Sequence, residues 1–205
     1  MSIRRFSRTL LLLLLSAGIL GAALGSAVHA QTVTPAGPDA ETPAHRYFTD
    51  VELTDQDGQP HRLYSDLLDG KIVVVSAMFT ECPGACPAMA GTLERIQDWA
   101  GDRLGKDVHL LSFSVDPKDT PAKMKDFAGR FNAKPGWYFL TGTKENWELA
   151  LRKLGLYTEN RESHSTLFLV GNDKTGLWKK ALGIAKPAEV LTIVESVAKD
   201  SGVPE

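Results

Sequence analysis

A chain of 205 residues with a formal charge of −2 makes one domain of ordinary size, and that charge balance gives no electrostatic reason to bind nucleic acid or an anionic membrane surface. It holds two cysteines, four positions apart, which excludes a scaffold of several disulfides, and it contains no internal repeat.

The first residues set the compartment. Arg4, Arg5 and Arg8 form a basic stretch, Leu10 to Leu15 open an apolar run that continues to about Leu24, and Val28-His29-Ala30 is a small-x-small ending before Gln31. That order of charge, apolar core and small residues is a secretory signal over residues 1–30. The run ends in Gly, Ser and Ala rather than in a charged stop, which favours cleavage after Ala30 over an uncleaved anchor. Arg4-Arg5 followed at once by Phe6 is a poor twin-arginine pattern. Removing residues 1–30 takes away three arginines and no acid, so the formal charge moves from −2 to −5. Residues 31–45, with Pro35, Pro38 and Pro43 among small polar residues, read as a flexible linker.

From Arg46 onward strand and helix signals alternate. Tyr47 to Leu53 and His61 to Tyr64 flank the turn Asp55-Gln56-Asp57-Gly58 and predict a β-hairpin. Lys71 to Met78 is a continuous apolar, β-branched run, the pattern of a strand covered on both faces. Met89, Leu93, Ile96 and Trp99 share one face of a helix that ends near Gly101, and Val108 to Val115 is a second buried strand. Thr120 is placed to cap the next helix, with Pro121 at its first position and Met124, Phe127 and Phe131 on its inner face. A strand at Trp137–Leu140, a helix from Lys144 to Leu154, strands at Thr166–Val170 and Leu177–Ala181 and a helix from Pro187 to Lys199 complete the order. A hairpin, then βαβ units, then a terminal β-β-α predicts an α/β thioredoxin-like fold over residues 46–205: a central mixed sheet flanked by helices, with an N-terminal β-hairpin.

Cys82 and Cys86 fall in Phe79-Thr80-Glu81-Cys82-Pro83-Gly84-Ala85-Cys86-Pro87, between the first buried strand and the helix after it. A structural bridge normally closes a long loop, because the entropy gain grows with loop length, so this pair is better explained by chemistry. Cys82 is expected on the loop and Cys86 at the helix start, where Pro87 suits a first-turn position and the helix N-terminus is expected to lower a thiol pKa. Such a pair serves disulfide exchange or binds a soft metal. Three intervening residues, rather than two, give a wider bite, and two thiolates suit Cu(I), with an added imidazole accommodating Cu(II).

Thr80-x-Cys82-x-x-x-Cys86-Pro87 resembles the TxCxxxCP motif of the Sco (SenC) copper chaperones, and Ser114-Val115-Asp116-Pro117-x-Asp119-Thr120-Pro121 is similar to that family's SVDPxxDTP segment. Trp137-x-Phe139-Leu140-Thr141-Gly142 resembles its following strand end, and His164-Ser165-Thr166 ahead of Phe168-Leu169-Val170 resembles the strand that carries its distal metal-binding histidine. The likeness runs from about Tyr47 to Ala198. It implies a periplasmic or mitochondrial thioredoxin-fold protein, here periplasmic, that binds one copper ion, Cu(I) or Cu(II), with Cys82, Cys86 and His164. It further implies work on a copper enzyme such as cytochrome oxidase, or on another periplasmic cuproprotein, by delivering the metal or reducing the target's cysteines, alongside other copper chaperones.

Two departures stand out. Relatives usually carry Asp directly before the distal histidine, where this chain has Ser163, and only Thr158 to Ser163 separate Tyr157 from His164, where many relatives have a longer insertion. The shortened segment is expected to form a different partner surface. His29, His45, His61 and His109 read as signal, linker, hairpin and strand-start residues, and Met89 as core rather than ligand. A thiol-disulfide oxidoreductase cycling Cys82 and Cys86 stays open, since it needs the cysteines but not His164. A peroxidase on the same fold wants a single attacking cysteine beside an arginine, and none lies near in sequence.

Overall fold

The computed structural model describes residues 41–202, so the segment read as a secretory signal and most of the linker lie outside the described residues. The chain enters through a short helix, α1 (Pro43–Phe48), which takes up Tyr47 and Phe48, residues expected to begin a strand, and His45, expected in the linker. The cause is local. Thr42 Oγ1 accepts from His45 N at 3.0 Å and Pro43 fills the first turn, a cap-plus-proline start that outweighs the β-preference of two aromatic residues.

The hairpin is shorter than expected. β1 (Glu52–Thr54) and β2 (Pro60–Arg62) pair antiparallel, and Leu63–Leu68 then coils into a single π-helical turn. β3 (Ile72–Met78) leads through α2 (Ala85–Ala100) to β4 (Val108–Ser114), and α3 (Pro121–Gly129) leads to β5 (Trp137–Leu140). After α4 (Lys144–Lys153) come β6 (Leu167–Asn172), β7 (Leu177–Leu182) and α5 (Pro187–Ala198). Thr120 caps α3 as expected, but α3 stops at Gly129, and Phe131 reaches Phe127 from beyond its end, ring centres 5.2 Å apart.

Every residue of β3 and β4 is buried. Strands with no wet face belong in the middle of a sheet covered on both sides, and here the order is β5-β4-β3-β6-β7. β3, β4 and β5 run parallel, β6 is antiparallel to β3, and β7 is antiparallel to β6. This is the thioredoxin-like mixed sheet. Three of its interior polar groups pair with one another: Ser76 Oγ lies 3.3 Å from Ser112 Oγ, which accepts from Trp137 Nε1 at 3.0 Å.

The hairpin closes an edge that would otherwise be bare. Thr54 and Thr141 exchange backbone bonds at 2.8 and 2.9 Å. Beyond them Gln56 stands in for a strand, its Oε1 accepting from Phe139 N at 2.8 Å and its Nε2 donating to Trp137 O at 3.1 Å. On α2 the buried face carries Cys86, Met89, Leu93, Ile96 and Gln97, while Trp99 is only half-buried. Gln97 takes that inner place because its amide bonds Asn132 O and Lys134 N, at 3.1 and 2.8 Å. Among the described residues no helix is long and apolar enough to cross a membrane.

Candidate metal centre

β3 and β4 are neighbours and run the same way, so the segments that follow them meet at one end of the sheet. Phe79–Gly84 loops from β3 to α2 and carries Cys82, half-buried, while Cys86 is the second residue of α2 and 2% exposed. Pro87 stands next in the first turn, where its missing N–H costs nothing. Cys82 N donates to Phe79 O at 3.2 Å, which tightens the loop at the first sulfur.

The segment after β4 holds that loop. Asp119, 5% exposed, accepts from Thr80 N at 3.0 Å and Ser114 Oγ at 2.6 Å through Oδ2, and from Thr80 Oγ1 at 2.5 Å through Oδ1. Two motifs that are separate in sequence are therefore one hydrogen-bonded unit, a buried carboxylate whose partners are all donors. Asp119 also feeds the next helix, since Thr120 beside it is the α3 cap.

His164 arrives from the opposite direction, three residues ahead of β6. Its Nε2 lies 3.5 Å from Cys86 Sγ and 3.9 Å from Cys82 Sγ, and the three ligand atoms all fall within 4.8 Å of one another. Nδ1 is 3.2 Å from Ser165 O. A carbonyl oxygen only accepts, so that bond places the ring proton on Nδ1 and leaves the Nε2 lone pair facing the sulfurs. Phe79, buried, meets the His164 ring edge-on with centroids 5.5 Å apart and fixes its plane.

The remaining candidates fall outside the cluster. His45 Nε2 bonds Asp50 Oδ2 at 3.0 Å, His61 bonds Asp55 Oδ2 at 2.9 Å, and buried His109 uses Nδ1 on Leu67 O at 3.0 Å. Met89 is 2% exposed and packs against Gly183, as core. One expectation is reversed. Burial pushes the Cys86 thiol up to about 12, and the Cys82 sulfur beside it adds to the rise. The helix start favours a thiolate, but a side chain taken out of water loses more than that field returns.

Two more groups belong to the site and carry no motif signature for it. Asp116, inside the Ser114–Pro121 motif, is buried and ion-paired with Arg161 of the short 158–163 segment. Together with Lys118, Trp147 and Tyr157 they line a cleft of about 480 Å³.

A match to the family described as SCO1/SenC spans residues 39–199. The SCO1 protein homolog of Bacillus subtilis (strain 168) is 29% identical over 147 residues, covering 67% of this chain and 75% of its own. A SCO1/SenC family lipoprotein from Bacillus anthracis str. Ames is 28% identical, with a TM-score of 0.59 over 72% of this chain and 92% of that one. Yeast Sco1, solved with copper bound, is 26% identical, with a TM-score of 0.58 over 75% of this chain and 88% of that one.

Proposed function

The chain belongs to the SCO1/SenC family, and from that premise we propose that it is an exported, periplasmic copper carrier holding one copper ion with Cys82, Cys86 and His164. Its cargo goes to a copper enzyme such as cytochrome c oxidase or another periplasmic cuproprotein, or its dithiol prepares that enzyme's cysteines. One observation carries the reading: an imidazole nitrogen 3.5 and 3.9 Å from both sulfurs, supplied by a residue 78 and 82 positions away. A thiol pair that only exchanged disulfides would have no use for that ring.

The donor set fits copper. Two sulfurs suit Cu(I), and a neutral imidazole with a free Nε2 adds the nitrogen that Cu(II) favours. The raised Cys86 thiol gives up its proton when a positive ion takes that proton's place between the sulfurs. The likeness to a copper-bound relative supports the metal, and a structure of BsSco described as a member of the Sco family of cytochrome c oxidase assembly proteins supports the target. Export rests on the N-terminal pattern of residues 1–30.

Copper titration of the reduced protein tests this. The wild type is expected to take one equivalent, Cys82→Ala and Cys86→Ala to lose tight binding, and His164→Ala to lose stable Cu(II) binding while its dithiol–disulfide potential against glutathione stays close to wild type. Wild-type copper spectra in His164→Ala would hand the lead to the oxidoreductase.

A further inference from the structure

Residues 158–163 are more ordered than a six-residue connection requires. Asn160 caps a single 3₁₀ turn, Arg161–Ser163, by accepting from Glu162 N at 2.9 Å, and Ser163 N donates to Asn160 O at 2.9 Å. The turn ends on His164, whose N–H donates to Arg161 O at 3.1 Å. Arg161 therefore holds the histidine's backbone with its own carbonyl.

Its side chain is fixed at the other end. The guanidinium is ion-paired with Asp116, which is 5% exposed, and Asp116 is itself set by Lys118 N donating to Oδ1 at 2.9 Å. The guanidinium carbon also lies 5.2 Å from the centre of the Phe79 ring, the ring that meets His164 edge-on. One residue thus joins the histidine segment, the loop after β4 and the aromatic that sets the imidazole plane. A fully exposed ion pair would contribute little, but here the acid is buried, and with Arg161 gone its charge would be left unpaired. Leaving the docked position is costly for the segment, so His164 is held where its lone pair meets both sulfurs.

We propose that Arg161 is a positioning residue for His164: clamped on Asp116 and laid on Phe79, it presets the imidazole against the cysteine pair before an ion arrives. The proposal rests on reading His164 as a metal ligand, and it explains how a six-residue segment delivers the ring.

Two measurements test it. In NMR spectra of the reduced protein, nuclear Overhauser contacts between the His164 and Phe79 rings are expected in the wild type and in Arg161→Lys, which keeps the charge pair, and are lost in Arg161→Ala. In titrations, Arg161→Ala is expected to weaken Cu(II) binding about tenfold or more, as loss of a ligand's supporting partner does, and to leave Cu(I) binding within about threefold. Placed on His164→Ala, the same change should leave Cu(I) affinity untouched, because the group it positions is gone. Asp116→Asn removes the same clamp isosterically and serves if Arg161→Ala does not fold. Unchanged ring contacts in Arg161→Ala, or an equal loss of Cu(I) affinity with and without His164, would overturn the proposal. The ring contacts need no copper, so a wild type that binds none would defeat the carrier reading and still leave Arg161 decided.

Discussion

Asp119 is the residue whose removal best separates a built cysteine loop from a loose one. Its carboxylate takes Thr80 N, Thr80 Oγ1 and Ser114 Oγ at 3.0, 2.5 and 2.6 Å, and it is 5% exposed. Asp119→Ala strips all three bonds, leaving the Thr80 amide without an acceptor and the Ser114 hydroxyl with only the Asp116 carbonyl, 3.4 Å away. Bonds to a charged group contribute about 1.5–3 kcal/mol each and are not additive, so a loss of roughly 4 kcal/mol is expected. In a domain of this size 1 kcal/mol moves Tm by about 2–4 °C, which places the drop at about 8–16 °C. Asp119→Asn behaves differently. Its amide oxygen keeps the Oδ2 position, which faces the one donor that cannot reverse, Thr80 N, and its NH2 meets the Thr80 hydroxyl, which can turn to accept. Only charge assistance is lost, roughly 1.5 kcal/mol, or about 3–6 °C. The assay is thermal unfolding of both variants followed by Cu(I) titration, with Asp119→Ala expected to bind about tenfold more weakly because the loop bearing Cys82 is released. A Tm within about 2 °C of wild type for Asp119→Ala, with unchanged affinity, would refute the account.

Two further outcomes follow from the core. Burial lowers the pKa of His109, so the folded ring stays neutral while the unfolded chain takes up a proton below about pH 6.5. Stability is thus fully present above that pH and falls as pH drops through it, by up to about 1.4 kcal/mol per pH unit; urea midpoints at pH 7 and 5.5 should show this slope, and His109→Gln should flatten it, an equal slope in both proteins being the refuting result. Gly171→Ala should destabilise by about 1–3 kcal/mol through overpacking. A Cβ there would stand 2.3 Å from the Trp178 ring, which is backed by Phe48 at 5.4 Å between centroids, so an unchanged Tm would contradict that packing.

The sheet was legible because β3 is apolar at every position but Ser76, and a run of that kind has one stable location. The candidate cluster was proposed from sequence only with the resemblance in hand: spacing singled out Cys82 and Cys86, but nothing local distinguishes His164 from His45 or His61. Three things stayed hidden. The cap at Thr42 and Pro43 was present in the sequence, yet the β-preference of Tyr47 and Phe48 masked it. The sign of the Cys86 shift depends on burial by distant residues, which helix position alone does not report. Asp119 and Asp116 sat inside a recognised motif without a role, because their partners Thr80 and Arg161 lie 39 and 45 positions away.

The pairing of β3 with β6 accounts for why these distant pieces meet. The strands are antiparallel, with Ser76 opposite Phe168. Counting four residues past Ser76 reaches Thr80, and counting four back from Phe168 reaches His164, so both chains leave the sheet at the same end with equal lengths to spend. The cysteine loop and the histidine segment therefore start as neighbours before any side chain acts. β4 lies on the other side of β3 in parallel register, Met78 opposite Ser114, and it releases Asp116 and Asp119 at the same level. Because side chains alternate along a strand, a slip of one residue between β3 and β6 would exchange the two faces of β6 and carry His164 one step off this match. Phe168 and Val170, both fully buried, bind the register to the core. The hydrophobic pattern that folds the sheet thereby also sets where the imidazole meets the sulfurs, and the six-residue segment before it has only to hold that position.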